Sequence, residues 1–336
     1  MTGPEFVSTG VLPAPELVRG LVNQAYRRYR TNHSGHVSQV YPALAEMPAD
    51  RFGLCVVSVA GTAYLAGDAG AMFTIMSVAK PFVFALVCHA LGADRLRREV
   101  GVNATGRPFS SLTAIEQAAD GRTNPMVNPG AIATTSLVPG STREARWRFL
   151  QDGLSRFAGR QLEVDPEVYA SASATNQRNR AIAQLLHAMG RLGCDPDDAL
   201  DLYTRQSCLR VSAEDLATMG ATLADAGLNP ITAEQVVDAG SCRHTLAVMT
   251  TAGLYQTSGD WLYQVGLPGK SGIGGGIVTV PPGKGGLGTY APRLDPAGNS
   301  VKGQLATRFL SRQLGLDLFT SAPAARPSAH DGIGQE

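Results

Sequence analysis

The chain has 336 residues, of which 44% are hydrophobic and 17% are charged, and its formal net charge is +1. This is enough apolar material for one large two-part domain or for two domains. A net charge near zero without a basic run makes nucleic acid and membrane surfaces poor partners. The five cysteines are scattered and lack C-x-x-C spacing, which indicates free thiols in a reducing compartment. We therefore expect a cytoplasmic protein without a signal peptide.

The predicted elements begin with a loose leader over residues 1–13 and an amphipathic helix over residues 15–30, where apolar side chains recur on one side. Residues 53–66 are rich in β-branched side chains around a glycine, which predicts two strands joined by a turn. The apolar stretch FTIMSVAKPFVFALVCH follows over residues 73–89. Because proline is tolerated only near a helix start, Pro81 predicts a buried helix beginning within a few residues of Ser77.

The middle of the chain, about residues 90–250, is predicted to be mostly helical. Helices are expected over residues 146–158, 179–192, 200–208 and 213–226, with a polar run over residues 171–178 before the second of them. The stretch NPMVNPGAIATT, residues 124–135, predicts a tight loop that holds side-chain amides beside a helix start. Asn124 precedes a proline, so turn chemistry is favoured for it.

Strand character returns near residue 264. Residues 270–280 and 286–290, separated by a Pro-Pro-Gly turn, predict a hairpin. The G-x-G-x-x-G spacing in this region does not predict a dinucleotide site, because no helix opens there and no βαβ unit surrounds it. A last helix is predicted over residues 298–314, and a disordered tail over residues 321–336. The two ends of the chain thus form one α/β layer, into which a helical part is set.

Ser77 and Lys80 are three residues apart, so on a helix their side chains share a face. A hydroxyl beside an amine at a helix start provides a nucleophile, a base and backbone donors for an oxyanion, which is the layout for acyl transfer. An isolated Ser-x-x-Lys arises by chance in many chains. However, the chain has only four lysines, which favours a special role for them, such as a buried amine with a lowered pKa. A later Lys270-Ser271-Gly272 completes the signature of serine β-lactamases and penicillin-binding enzymes.

Several further stretches, in order and spacing together, resemble the serine-dependent glutaminase family, which shares that β-lactamase-like fold. They lie between about residues 35 and 315, at residues 73–81, 124–137, 178–183, 202–208, 253–255, 265–277 and 298–303. The resemblance implies an α+β fold, with an antiparallel sheet flanked by N- and C-terminal helices plus an all-helical subdomain. It implies a single domain over residues 14–320, with a sheet part at about 14–70 and 256–320 and a helical part at about 71–255.

The resemblance also implies hydrolysis of L-glutamine to L-glutamate and ammonia through a glutamyl-serine intermediate. In that scheme Ser77 is the nucleophile and Lys80 its activating base, while Tyr255, tuned by Lys270, passes a proton to the leaving ammonia. The implied substrate contacts are Ser77, Asn128, Asn179, Tyr203, Tyr255 and the backbone of Ile273. No metal or organic cofactor is implied, and the family's usual assembly is a homodimer or homotetramer.

The chain departs from the family pattern at three places. Ala172 stands where the family carries a glutamate that would hold the substrate's α-ammonium group. Losing such a charge-assisted hydrogen bond costs roughly 1.5–3 kcal/mol, so the sequence predicts weakened or altered recognition of the amino group. Val40 takes the place of a tyrosine of the entrance loop, with Tyr41 one position later. Met76 replaces a polar residue before the serine.

Two other functions stay open at this point. A penicillin-recognising hydrolase or divergent amidase of the same fold would need a wide cleft, and the Asn-Pro-rich loop argues against it. A degenerate glutamine-binding protein is compatible with Ala172, but the intact Ser77 and Lys80 oppose it. The sequence leaves open glutamine versus asparagine preference and activation by phosphate or salt.

Single residues also have structural interpretations. Tyr203 and Tyr255 suit core aromatics with a polar tip, Lys270 suits a lysine at a sheet edge, and Asn179 suits a helix cap. Only the joint pattern favours the catalytic interpretation.

Overall fold

The computed structural model describes residues 10–118 and 120–320. The tail predicted over residues 321–336 lies outside the described residues, as does the leader except for residues 10–13. The strands are β1 (Gly53–Ser58), β2 (Ala63–Gly67), β3 (Phe73–Thr74), β4 (Arg210–Val211), β5 (Gly269–Ser271), β6 (Gly276–Thr279) and β7 (Gly285–Tyr290). The helices are α1 (Pro15–Tyr29), α2 (Pro42–Ala45), α3 (Ala79–Leu91), α4 (Ala93–Glu99), α5 (Thr113–Gln117), α6 (Asn128–Ser136), α7 (Arg143–Ala158), α8 (Pro166–Thr175), α9 (Gln177–Ala188), α10 (Pro196–Ser207), α11 (Ala213–Ala224), α12 (Ala239–Ala252), α13 (Ser258–Val265) and α14 (Val301–Gln313).

A five-stranded antiparallel sheet joins the two ends of the chain. Its order is β2-β1-β7-β6-β5, so the N-terminal hairpin pairs with the C-terminal strands where β1 meets β7. Helices α1 and α14 cover one face, and α11 covers the other. The apolar side chains of α1 and α14 form one core with the sheet, which confirms the predicted sheet flanked by N- and C-terminal helices.

Helix packing gives a structural reason for one glycine of the G-x-G-x-x-G spacing, Gly288 of β7. A Cβ atom at Gly288 would lie 1.9 Å from the carbonyl oxygen of Ala213 on α11. No side chain fits at that separation, so the glycine lets the helix pack directly on the strand. Close packing of helix on sheet therefore accounts for this part of the motif.

The helical part lies around α3, which is buried from Ala79 to Cys88 against α6, α7 and α12. The helical part also contains a short strand pairing that the sequence did not predict, between β3 and β4. Phe73 of β3 stacks on Tyr290 of β7, with 4.1 Å between the ring centroids. The boundaries between sheet part and helical part remain a prediction.

Within residues 10–118 and 120–320, no single helix is long and apolar enough to cross a membrane. A bent pair, Met76–Leu91 and Ala93–Glu99 at 117°, passes that test by length and composition alone.

Two predicted elements differ from the structure. The polar run over residues 171–178 is helical except at Asn176, because Asp165 caps α8 and Pro166 occupies its first turn. Most of its side chains are exposed, whereas Asn176 is buried. The strand predicted over residues 270–280 is two strands, β5 and β6, because Gly272, Gly274 and Gly275 form a turn between them. Strand character also starts later than residue 264, since α13 continues to Val265.

Candidate active site

Ser77 lies in a short 3-10 turn, Met76–Val78, which leads directly into α3. The preceding residue, Met76, has φ of 48°, an uncommon conformation for a residue with a side chain. The helix start and the strained residue together present Ser77 to a cavity of about 240 Å³. The cavity is lined by Val40, Tyr41, Met76, Ser77, Phe109, Ser110, Asn128, Thr175, Asn176, Arg178, Asn179, Tyr203, Ser207 and Ile273.

Lys80 is buried on the first turn of α3, beneath the cavity. Its amine donates to Asn128 Oδ1 at 2.7 Å and to the carbonyl oxygen of Met126 at 3.5 Å. Burial lowers the pKa of this amine to about 7, because the charged form is poorly solvated there. A neutral amine has two N–H groups and one lone pair. Its two donors are thus used by Asn128 and Met126, and the lone pair is available to take a proton.

The turn between β5 and β6 lies against the serine. A Cβ atom at Gly272 would be 3.2 Å from the backbone nitrogen of Ser77, and one at Gly274 would be 2.5 Å from the carbonyl oxygen of Thr74. Ile273, between these two glycines, lines the cavity. Only a glycine-rich turn can bring its backbone this close, so the N–H groups of Ser77 and Ile273 belong to adjacent segments.

Tyr255 and Lys270 form a buried pair behind the cavity. The Tyr255 hydroxyl donates to the Ser271 carbonyl oxygen at 3.1 Å, and the Lys270 amine donates to the same oxygen at 2.6 Å. The amine also lies 4.2 Å from the centroid of the Tyr255 ring. Burial raises the pKa of Tyr255 to about 12, against the opposing effect of its contacts with Ser77 and Ser271. Burial and the nearby Lys80 lower the pKa of Lys270 well below its usual range.

Buried amides line the opposite side of the cavity. Asn128 Oδ1 accepts from the Tyr203 hydroxyl at 3.1 Å, and Asn128 Nδ2 donates to Asn179 Oδ1 at 2.8 Å. Burial raises the pKa of Tyr203 well above its usual value, so this phenol is a donor at neutral pH. Asn124, in contrast, makes an Asx turn with the Met126 N–H at 3.0 Å, which confirms the turn chemistry expected of it.

The predicted residues come together around this one cavity. Ser77, Asn128, Asn179, Tyr203 and Ile273 line it, while Lys80, Lys270 and Tyr255 are buried next to it. The cap interpretation of Asn179 is wrong, because the N-cap of α9 is Asn176 and Asn179 lies inside the helix. Lys270 does lie on the edge strand β5, as the sheet-edge interpretation has it, but its side chain is fully buried and not exposed at the edge.

The three departures have different surroundings. Val40 and Tyr41 both line the cavity, and the Tyr41 hydroxyl donates to Asn176 Oδ1 at 3.3 Å. Met76 lines it as well. Ala172 lies on α8, is 1% exposed and packs in an apolar cluster that includes Met76.

Sequence reasoning missed other residues of the cavity wall. Phe109 belongs to the loop before α5, and its ring lies 4.7 Å from that of Tyr255, between centroids. Its carbonyl oxygen accepts from the Asn128 N–H at 2.8 Å, so the loop helps to fix the amide side. Asn176 and Arg178 belong to the polar run over residues 171–178, at the start of α9. The run was visible in the sequence, but no spacing linked it to Ser77.

An antiparallel sheet with an inserted helical part, and a serine whose neighbouring segments carry two buried lysines, are the features of a serine hydrolase with a β-lactamase-like fold. A family model described as Glutaminase matches residues 35–319, and the chain belongs to the glutaminase family. "Glutaminase 2" of Yersinia pestis is 66% identical over 319 residues, which cover 95% of this chain and 94% of that protein.

Solved structures agree with the family. One described as "Probable glutaminase ybaS" superposes with a TM-score of 0.90 at 40% identity, covering 92% of this chain and all of that one. Another, Mglu "in its glutamate form", has a TM-score of 0.86 at 35% identity and covers 90% of this chain and 70% of that one. The α+β, β-lactamase-like fold expected from the sequence is thereby confirmed.

Proposed function

We propose that this chain hydrolyses the γ-carboxamide of L-glutamine to give L-glutamate and ammonia, with Ser77 as the nucleophile. Family membership supports the reaction, and the glutamate form of Mglu supports the product. The observation that carries the assignment to Ser77 is its position on the cavity wall, at a helix start, next to the buried Lys80.

In the first step the Ser77 hydroxyl oxygen attacks the amide carbon, and its proton passes to the neutral amine of Lys80. The carbonyl oxygen becomes an oxyanion, for which the N–H groups of Ser77 and Ile273 are the proposed donors. The C–N bond then breaks, and the nitrogen leaves as ammonia with a proton from Tyr255. The raised pKa of Tyr255 supports this role, because the phenol is protonated before the step.

In the second step water attacks the glutamyl ester and gives one proton to the Tyr255 phenolate, while the Ser77 oxygen leaves and takes back the proton held by Lys80, so that glutamate is released and both groups are restored. Asn128, Asn179 and Tyr203 are proposed to hold the amino-acid end of the substrate, since they bring amides and a phenol to the cavity wall. Arg178 lines the same cavity and is the cationic side chain available there for a carboxylate.

The test is ammonia release from millimolar L-glutamine, with Ser77→Ala as the control. We expect release by the native protein and a loss of at least about 10³-fold in the variant, because the covalent route is removed. Release that is unchanged in Ser77→Ala would contradict the assignment. No release by either protein, with L-glutamine still bound in calorimetry, would favour the degenerate binding protein.

We also propose that the chain acts in the cytoplasm as a homodimer or homotetramer. The free thiols of all five cysteines, four of them buried, support a reducing compartment. The family resemblance supports the assembly. Sedimentation velocity at micromolar concentration would reveal a monomer if the assembly is wrong.

A further inference from the structure

We propose that Thr204 and Asn176 are positioning residues, which fix the side-chain amides of Asn179 and Asn128 so that an oxygen, not an NH₂ group, faces the Lys80 amine. The inference rests on the function proposed above, in which Lys80 takes the proton of Ser77. It is carried by a chain of hydrogen bonds that runs in one direction from α10, through the start of α9 and α6, to Lys80 on α3.

The chain starts at a backbone carbonyl of α10. The Thr204 hydroxyl donates to the Leu200 carbonyl oxygen at 2.8 Å, and a carbonyl oxygen can only accept. The hydroxyl proton is therefore used in this hydrogen bond, so Thr204 Oγ1 can only accept in a second one. Asn176 Nδ2 donates to it at 3.1 Å, which sets the orientation of the Asn176 amide.

The orientation passes on through two further amides. Asn176 Oδ1 accepts from Asn179 Nδ2 at 2.7 Å and from the Tyr41 hydroxyl at 3.3 Å. Asn179 Oδ1 accepts from Asn128 Nδ2 at 2.8 Å. Each amide presents a donor on one side and an acceptor on the other, and all three are buried. Reversing one of them would bring two like groups together unless its neighbour also reversed.

The far end of the chain is the catalytic amine. Asn128 Oδ1 accepts from Lys80 Nζ at 2.7 Å and from the Tyr203 hydroxyl at 3.1 Å. A reversed Asn128 would direct its NH₂ group at both donors. The protonated amine would suffer more than the neutral one, because it has no lone pair to accept a hydrogen bond. Reversal therefore lowers the pKa of Lys80.

Two titratable groups face Lys80 from neighbouring elements. Tyr203 on α10 has its ring centroid 5.9 Å from Lys80 Nζ, and Lys270 on β5 is close enough to feel its charge. Both groups are still present in a Thr204 variant, and Thr204 itself does not line the cavity. A change at Thr204 thus reaches Lys80 through the amides.

The experiment compares Thr204→Val, which removes the hydroxyl, with Thr204→Ser, which keeps it. The ionisation of Lys80 is followed by ¹³C NMR of lysine Cε, which is tractable because the protein has four lysines. The Lys80 signal is identified by its loss in Lys80→Met. We expect Lys80 to titrate near 7 in the native protein and in Thr204→Ser, and about one pH unit lower in Thr204→Val. The acid limb of kcat/KM should shift by the same amount, and kcat should fall about tenfold.

Equal Lys80 titration in all three folded proteins would overturn the proposal and leave Thr204 with a purely structural role. Thr204→Ala, which removes the hydroxyl without adding bulk, carries the same expectation and replaces Thr204→Val if that variant does not fold. The NMR titration needs no turnover. Failure of the inference is therefore distinct from failure of the proposed function, which the comparison with Ser77→Ala reports.

Discussion

The two sides of the cavity are built by different means. The sheet side consists of the Met76–Val78 turn and the glycine turn at residues 272–275, and it is held by backbone packed against backbone. The helical side consists of Asn128, Asn176, Asn179 and Tyr203, and it is held by hydrogen bonds between side chains. Backbone contacts fix the position of a nucleophile and its oxyanion donors, whereas side-chain amides fix the direction of donors and acceptors. Lys80 links the two sides, because it follows Ser77 by three residues and its amine donates to Asn128 on the helical side.

The largest expected effect on activity comes from removing the Lys80 amine. Lys80→Met keeps the length of the side chain but removes the amine, and kcat should fall roughly 10²–10⁴-fold, the usual range for a general base. In the native protein kcat/KM should rise with pH through about 7, because burial lowers the pKa of the amine and the protonated form below that pH cannot take a proton. The measurement is ammonia release between pH 5.5 and 9.

Lys284→Met is the matched control for this prediction. Lys284 donates to the Gly315 carbonyl oxygen at the surface and does not line the cavity. Removing its amine should therefore leave kcat and the pH profile of kcat/KM unchanged. An acid limb that persists unchanged in Lys80→Met would show that another group titrates near 7.

The difference between the two sides also explains what the sequence can predict. The sheet side is encoded locally: Ser77 and Lys80 share one helix turn, and Lys270-Ser271-Gly272 is followed by the glycines of one tight turn. Its chemistry could therefore be read from short motifs. The N-terminal strand pair and the terminal helices were likewise predictable from their apolar patterns, whereas the antiparallel sheet as a whole was expected from the family resemblance.

The helical side was only partly predictable. Asn128 is 51 residues from Asn179 and 75 residues from Tyr203 along the chain, and only the family resemblance connected the three. Asn176, Thr204 and Phe109 were missed altogether. Asparagine and threonine in a polar run are most often helix ends and turns, and no local pattern reveals that the amides of Asn176 and Asn179 at the start of α9 share one chain of hydrogen bonds with Asn128 of α6.

A substitution in the glycine turn should break the sheet side alone. Gly274→Ala would place a Cβ atom 2.5 Å from the Thr74 carbonyl oxygen, so the turn must move away from Ser77. A displacement of about 1 Å at the reacting groups can lower the rate about 10²-fold, and we expect a loss of that size in kcat. The pKa of Lys80 should stay near 7, because the amide side is untouched. Kinetics and the lysine NMR titration check both statements.

Gly259→Ala serves as the control for the glycine prediction. Gly259 lies in α13 with no atom within 4 Å of an added Cβ, so the change should leave kcat intact and stabilise the helix slightly. A Gly274→Ala protein as active as this control would mean that the two backbones tolerate separation.

The smallest expected effect concerns Ala172, next to the helical side. This residue is buried with Met76, itself a cavity residue, so a longer side chain at position 172 starts from the edge of the site. Ala172→Glu should lower KM for L-glutamine about tenfold, since a charge-assisted hydrogen bond to the substrate ammonium contributes roughly 1.5–3 kcal/mol before the burial of the carboxylate is subtracted. Ala172→Gln has nearly the same size without the charge, and both variants should lose some thermal stability through overpacking. If the two variants have equal KM values, the carboxylate gives no advantage, and the amino group must be recognised by the amides and hydroxyls already present on the helical side.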